Sequence, residues 1–293
     1  MELAAGRASR TGAVLVANLI EASYANLVQP WYQMVMAAPF EKRAFVISLD
    51  ENTSWACEAA GVPHASAPRH PSAPSLELGI PRTVPQSYPI WKFIAIVKGL
   101  DLGWRVLWSE IDALWMPPRF AAESRPFESF EELLTPSADL IPMRHPNGIR
   151  DGRDLPNHHF NAGFMLAQGR AALHFFRCAA ARWEERKALA HNTTYTDQDH
   201  INVLAKSREC GNLTVGWLSQ EYCTCRAWVS RRPDELRVAH ITYCDHIYFK
   251  DATRANQCKR LVLSAWYLSK ATVDNVTDKL WNRKLMPRHR AGC

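Results

Sequence analysis

The chain alternates short apolar segments with longer segments of helical periodicity, and this alternation is what most limits its possible folds. Ala13–Ala17 and Ala44–Asp50 are predicted strands, because short runs rich in Val, Leu and Ile fit buried strands. Tyr24–Met36 and Trp55–Ala60 are predicted helices, and Gly61 is suited to close the second as its C-cap residue. Strands that alternate with helices favour the α/β class, here a mostly parallel central sheet flanked by helices.

The rest of the chain continues this alternation. Helices are predicted over Ile90–Leu100 and Ala171–Ala190, and strands over Asp139–Met143 and Phe160–Ala167. Residues 64–89 are rich in Pro, Ser, Ala and His without periodicity, which predicts a long flexible surface loop. No repeat or compositional break divides the sequence, so we predict one domain over all 293 residues.

The composition argues against several classes of function. With 47% hydrophobic and 22% charged residues, the chain suits a globular protein with a substantial core. Lys and Arg are scattered and the net charge is only +6, so no nucleic-acid partner is expected, whereas a phosphate-bearing small molecule is compatible with this charge. No apolar run approaches the ~18 residues of a membrane-spanning helix, so membrane association would require an anchor outside this chain.

The N-terminal segment allows two interpretations. Two arginines precede the apolar stretch Gly12–Ile20, a pattern shared with secretory signal peptides. We favour a first core strand over Ala13–Ala17 that turns at Asn18, because Tyr24–Trp31 continues as a structured segment. Any targeting or anchoring element would then lie outside this chain.

Sequons and cysteines favour the secretory pathway. The chain has Asn-x-Ser/Thr sequons at Asn52, Asn192, Asn212 and Asn275. Its eight cysteines agree with an oxidising compartment, although their pairing cannot be read from spacing. Cys223-x-Cys225 and Cys244-x-His246 have a single residue between the paired ligands, fewer than structural zinc sites use, so disulfides or buried thiols are preferred.

Two carboxylates, Glu110 and Asp112, follow a short apolar run that begins at Arg105. The run is bounded by Gly103 and Pro117 and is typical of a buried strand. Open α/β sheets bind ligands outside the carboxyl ends of their strands, where two acids would hold a hard divalent cation on a diphosphate substrate. The alternative is a strand-end turn with two solvated acids.

Two later motifs add polar side chains with open roles. Thr196 and Asp199 form a capping box, which leaves Asp197 and Gln198 on the first turn of a helix, facing a pocket or solvent. His240 follows a short apolar pair and suits either a cation ligand or a hydrogen-bonded core histidine. Lys250, further along the chain, suits either a phosphate contact or the surface.

The order of these motifs resembles the nucleotide-diphospho-sugar transferase family of glycosyltransferases, which have the GT-A fold. The matching segments, spread from Val14 to Lys250, are Ala17-Asn18, Glu110-Ile-Asp112, Phe160-Asn-Ala-Gly163, Asp197-Gln198 with Asn202, and His240 followed by Lys250. Within that family, the motif order resembles the retaining members that build plant and algal cell-wall and glycoprotein glycans. Each motif is short, so the specificity of the resemblance lies in their order and spacing.

The resemblance implies a metal site. Asp112 matches the last acid of the family's Asp-x-Asp motif, which coordinates a manganese or magnesium ion on the donor diphosphate. His240 matches the late histidine that completes the metal shell. Glu110 stands where the first acid reaches the ribose or the metal, and its longer side chain departs from the family pattern.

The resemblance also implies donor and catalytic positions. The donor-binding residues would be Ala17, Asn18, Glu110, Asn161, Gly163 and Lys250. Asn161 and Gly163 match the strand beside the bound sugar, and Asp197 with Gln198 matches the acid-amide pair near the anomeric carbon. Lys250 matches a lysine on the leaving phosphate, but Asp251-Ala252 follows it where the family often has Pro-Trp.

The implied function is a metal-dependent glycosyltransferase of the Golgi lumen. It would transfer a sugar from a nucleotide-sugar donor, a UDP-sugar, to a hydroxyl of a glycan or glycoprotein, with retention. Mn²⁺ is expected rather than Mg²⁺ because a histidine ligand is implied. Two alternatives stay open: a catalytically inactive sugar- or nucleotide-binding relative, suggested by Glu110, and a cytosolic phosphohydrolase using the same acids.

Overall fold

The computed structural model describes residues 14–38, 42–67, 88–115, 138–144, 149–150, 153–154, 160–189, 195–218, 222–224 and 238–240. The strands are β1 Val14–Ile20, β2 Lys42–Ser48, β3 His64–Ser66, β4 Arg105–Ser109, β5 Ala113–Trp115, β6 Leu140–Arg144, β7 Ile149–Arg150, β8 Arg153–Asp154, β9 Phe160–Ala167, β10 Tyr222–Thr224 and β11 Val238–His240. The α-helices are α1 Val28–Ala37, α2 Glu51–Ala59, α3 Tyr88–Asp101, α4 Gly169–Leu189 and α5 Asp197–Ser207. A 3-10 helix, Ala22–Leu27, precedes α1.

The central sheet has six strands in the order β3-β2-β1-β4-β9-β6. Strands β3, β2, β1 and β4 pair in parallel, and β9 runs antiparallel to both of its neighbours. This arrangement confirms the predicted mostly parallel α/β sheet. A smaller sheet of β10, β11 and β5 begins just beyond the carboxyl end of β4.

The central sheet is buried on both faces, as strand β1 shows. Val14 and Val16 belong to the apolar layer that includes α1, whereas Leu15, Ala17 and Leu19 belong to the layer that includes α3, α4 and α5. Neighbouring side chains of a strand point to opposite faces, so a strand between two helical layers must be apolar throughout. All seven residues of β1 are buried, as that position requires.

The layer of α3, α4 and α5 is closed by aromatic packing and a disulfide. Phe93 of α3 lies 6.2 Å from the Trp183 ring and 5.6 Å from the His200 ring, measured between centroids. A disulfide joins Cys178 of α4 to Cys210, just beyond α5. Cys178 and Cys210 are thus one oxidised pair among the eight cysteines of the sequence.

Several predicted boundaries move, each for a local reason. Strand β1 continues to Ile20 instead of turning at Asn18, because Leu19 and Ile20 keep pairing with β2. Helix α2 begins at Glu51 rather than Trp55, because the Asp50 side chain caps it by accepting a hydrogen bond from the Thr53 amide at 2.9 Å.

The predicted loop over residues 64–89 is replaced at both ends by regular structure. Strand β3 pairs with β2 at its start, and α3 begins at Tyr88. Residues 68–87 lie outside the described residues. Within the described ranges, no helix combines the length and hydrophobicity needed to cross a bilayer.

Candidate metal and donor site

The chain path brings three metal-ligand residue types together beyond β4. Glu110 follows β4 directly, and its amide donates a hydrogen bond to the carbonyl of Gly163 at 2.9 Å. A turn then places Asp112 immediately before β5, with the Ala113 amide bonded to the Glu110 carbonyl at 2.9 Å. His240 pairs with Ala113 across the antiparallel β5–β11 ladder. The topology therefore positions the imidazole next to both acids.

The two carboxylates converge on Nε2 of the imidazole. His240 Nε2 lies 3.3 Å from Asp112 Oδ1 and 3.6 Å from Glu110 Oε2. One ligand atom from each residue lies within 4.8 Å of the others. Burial alone would lower the pKa of His240, but Asp112 and then Glu110 outweigh it and raise that pKa to about 9.

These residues fit a divalent cation. Within the described part of the chain Nδ1 of the buried His240 has no hydrogen-bond partner, although buried polar atoms usually have one, and Nε2 faces the two carboxylates. Two carboxylates with one imidazole form a donor set that suits ions such as Mn²⁺. Gly163 makes room for the ring, because a Cβ added there would lie under 3.0 Å from three atoms of His240.

A buried lysine that sequence reasoning missed completes the cluster. Lys92 of α3 is 0% exposed, and its ammonium donates hydrogen bonds to Glu110 Oε1 at 2.9 Å, Asp197 Oδ2 at 2.6 Å and the Ala162 carbonyl at 2.5 Å. Burial alone would lower the pKa of Lys92, but the carboxylates of Asp197 and Glu110 outweigh it, so the pKa is raised. Lys92 in turn helps to hold the pKa of Glu110 well below its usual value, against the opposing effect of burial.

The Asp197-Gln198 motif and Asn202 lie where α5 packs against β9. Gln198 Oε1 accepts a hydrogen bond from the Ala162 amide at 3.3 Å, and Asn202 bonds both the amide and the carbonyl of Phe160. The predicted capping box of Thr196 and Asp199 is present, so Asp197 and Gln198 lie on the first turn of α5. Lys92 then links Asp197 to the acid at Glu110.

The remaining predicted donor-binding residues lie in different parts of the fold. Asn161 and Gly163 are on β9 within it, and Asn161 Oδ1 accepts a hydrogen bond from the Gly163 amide at 2.9 Å. Ala17 and Asn18 are buried inside β1, not at its end, and Asn18 Oδ1 bonds the Leu19 amide at 2.7 Å. Lys250 lies outside the described residues.

Comparison with known proteins identifies the fold. No model of a known protein family matches the sequence, and no curated protein is significantly similar to it. The apo form of the glycosyltransferase GlyE from Streptococcus pneumoniae TIGR4 matches 96% of this chain with a TM-score of 0.50 at 10% identity. The chain has the GT-A fold. A second match is the galactosyltransferase LgtC, solved with donor and acceptor sugar analogs, over 89% of this chain and 99% of its own, at 16% identity and a TM-score of 0.47.

This chain covers 66% of the length of GlyE. In this chain the fold places Glu110 and Asp112 beyond the carboxyl end of β4, which lies in the middle of the central sheet between β1 and β9. Three carboxylates and one ammonium meet there, from Glu110, Asp112, Asp197 and Lys92. Counted without His240, these four groups sum to a formal charge of −2, which attracts a positive group such as a divalent cation or the protonated imidazole.

Proposed function

We propose that this chain is a metal-dependent glycosyltransferase that transfers a sugar from a UDP-sugar donor to a hydroxyl of a glycan or glycoprotein. The observation that supports this most directly is the convergence of Glu110, Asp112 and His240 beside β9, on the GT-A fold. Ligands for a cation that lie beyond the carboxyl end of a strand suit a nucleoside diphosphate donor, because the cation would bind its phosphates.

The metal ligands would be Asp112, His240 and one oxygen of Glu110. We expect Mn²⁺, with Mg²⁺ as the less favoured ion, because one of the donors is an imidazole. When bound, the cation acts as a Lewis acid that stabilises the negative charge of the departing nucleoside diphosphate. Lys250 would add a positive charge on that phosphate.

The sugar would lie beside β9 and the first turn of α5. Asp197 offers a carboxylate that stabilises the positive charge of an oxocarbenium-like transition state, and Gln198 lies beside it. Asn161 and Gly163 line the neighbouring strand, and Ala17 with Asn18 would form part of the nucleotide side. We propose transfer with retention, in line with the motif order.

A catalytically inactive sugar- or nucleotide-binding protein is the second candidate. The observation that favours it is the contact between Glu110 Oε1 and Lys92 at 2.9 Å, which leaves only the other carboxylate oxygen towards His240. Such a protein would bind a nucleotide with its cation but would not break the sugar–phosphate bond.

Calorimetry and a hydrolysis assay on the purified chain distinguish these candidates. We expect UDP to bind only when Mn²⁺ is present, and one UDP-sugar from a panel to be hydrolysed in a Mn²⁺-dependent manner. Metal-dependent UDP binding without hydrolysis of any donor would favour the inactive candidate. If UDP does not bind with or without Mn²⁺, both proposals are wrong.

We further propose that the protein works in the Golgi lumen. The disulfide Cys178–Cys210 supports an oxidising compartment, because cytosolic proteins rarely keep such bonds. The sequons at Asn52 and Asn212 have exposed asparagines, whereas those at Asn192 and Asn275 lie outside the described residues. Glycosidase treatment of the chain secreted from a eukaryotic host should lower its mass.

A further inference from the structure

We propose that Lys92 is a positioning residue that joins the cation site to the sugar side of the cleft, and that its charge weakens cation binding. This inference rests on the proposed metal-dependent function. Lys92 is not among the residues proposed to contact the donor or the cation.

The donor capacity of the lysine supports an indirect role. An ammonium group carries three protons and donates three hydrogen bonds. All three are directed at Glu110 Oε1, Asp197 Oδ2 and the Ala162 carbonyl, and the side chain is 0% exposed. Because no donor is left for a substrate, Lys92 acts through the groups that it holds.

Lys92 fixes the orientation of both carboxylates that it contacts. One oxygen of Glu110 faces the ammonium and the other lies 3.6 Å from His240 Nε2, so the carboxylate faces the metal cluster with a single oxygen. Asp197 likewise bonds Lys92 through Oδ2, which leaves Oδ1 for the sugar side. The third contact, to Ala162, holds β9 to the same point.

The charge of Lys92 should also affect cation affinity. Its ammonium is separated from the metal cluster only by the Glu110 carboxylate, so it repels a bound dication at short range. Removing a unit charge that close is expected to tighten Mn²⁺ binding by about tenfold, whereas turnover should fall because Asp197 and Glu110 lose their orientation. If Lys92 had a purely structural role, its loss would lower both the Mn²⁺ affinity and the turnover.

The first experiment compares Lys92→Met with the wild type and with Lys206→Met as a matched control. Lys206 is an exposed lysine near the end of α5, so its loss removes the same charge away from the site. Calorimetric titration with Mn²⁺ should give about tenfold tighter binding for Lys92→Met and a change below twofold for Lys206→Met. The kcat of Mn²⁺-dependent donor hydrolysis should fall about 100-fold in Lys92→Met alone.

The outcomes separate this inference from the proposed function. If the wild type binds no Mn²⁺, the metal site itself is wrong. If the wild type binds Mn²⁺ but Lys92→Met binds it equally well or more weakly, the role assigned to Lys92 is overturned while the metal site stands.

A second variant covers the case in which Lys92→Met does not fold, since removing one partner of a buried ion pair is costly. Asp197→Asn removes the negative charge on the far side of Lys92, so Mn²⁺ binding should weaken severalfold although Asp197 is not a proposed ligand. Where both variants fold, the double variant should return to within about threefold of the wild-type affinity. An unchanged affinity in Asp197→Asn would overturn the inference.

Discussion

Two buried histidines in this molecule occupy opposite environments. His200, in the layer of α3, α4 and α5, lies 2.8 Å from the Ala179 carbonyl through Nε2 and 3.0 Å from the Tyr195 hydroxyl through Nδ1. His240 has no hydrogen-bond partner at Nδ1 within the described residues, and its Nε2 faces two carboxylates. Burial lowers the pKa of His200 to about 4, whereas Asp112 and Glu110 raise that of His240 to about 9.

The comparison shows that neighbours, not burial, decide what a buried histidine does. Burial disfavours the charged imidazole at both positions. At His200 the hydrogen bonds satisfy a neutral ring, which suits a residue that stabilises the fold. At His240 two acids make a positive group favourable between them, which suits a proton or a cation. The site around His240 is therefore a binding region, and the layer of α3, α4 and α5 around His200 is a supporting region.

The largest effect is expected at the acid nearest to His240. Asp112→Ala should lower turnover by about 10²–10³-fold, the scale for losing one group that stabilises developing charge. The measurement is Mn²⁺-dependent hydrolysis of the best UDP-sugar donor. Wild-type turnover in this variant would show that Asp112 is not a metal ligand and that the two histidines differ for another reason.

A large effect on stability, without one on binding, is expected from the disulfide near His200. Opening the Cys178–Cys210 bond, which closes a separation of 32 residues, should lower the free energy of unfolding by about 2–4 kcal/mol. Urea denaturation of the Cys178→Ala/Cys210→Ala variant measures this. Its Mn²⁺ affinity at low urea should match the wild type, and a parallel loss of affinity would show that the two regions are coupled.

His200 itself should make stability depend on pH. Its pKa of about 4 in the folded state lies below its value of ~6.5 in the unfolded chain, so the unfolded state binds more protons between these values. Its contribution is present above pH ~6.5 and is lost as the pH falls towards 4, by about 2 kcal/mol at pH 5. Arg186 and Asp197 act on the same charge with opposite signs.

Urea denaturation at pH 7.5 and pH 5 checks this contribution. In His200→Gln, the loss of stability between the two pH values should be smaller than in the wild type by about 2 kcal/mol. His174→Gln, at an exposed position of α4, is the matched control and should keep the wild-type difference. Equal differences in all three proteins would contradict the assignment.

The sequence predicts the strands that carry the site and the position of its acids, because both follow from local periodicity. The run before Glu110 and the strand Phe160–Ala167 are apolar and short, and both form as predicted. The predicted end of β1 is wrong, because Asn18 is typical of a turn whereas the apolar residues after it continue the pairing with β2. The assigned roles of the site residues stay predictions.

Lys92 was not predicted because its partners are distant in sequence. It bonds residues that are 18, 70 and 105 positions away, and no local pattern joins such positions. The only available signal was a lysine on the apolar side of the predicted helix, between Ile90 and Phe93. A buried lysine requires a partner, but sequence alone does not say which one.

The smallest effect is expected from Gly163→Ala, which tests whether the binding region depends on the space that Gly163 leaves for His240. In Gly163→Ala the added Cβ would overlap the imidazole, so the ring must shift and Mn²⁺ affinity should fall by about tenfold, the lower range for disturbing the support of a metal ligand. The same substitution in a His240→Ala background has no ring to displace and should change affinity by less than twofold. If Gly163→Ala weakens binding equally in both backgrounds, the glycine acts through β9 and not by making room for the histidine.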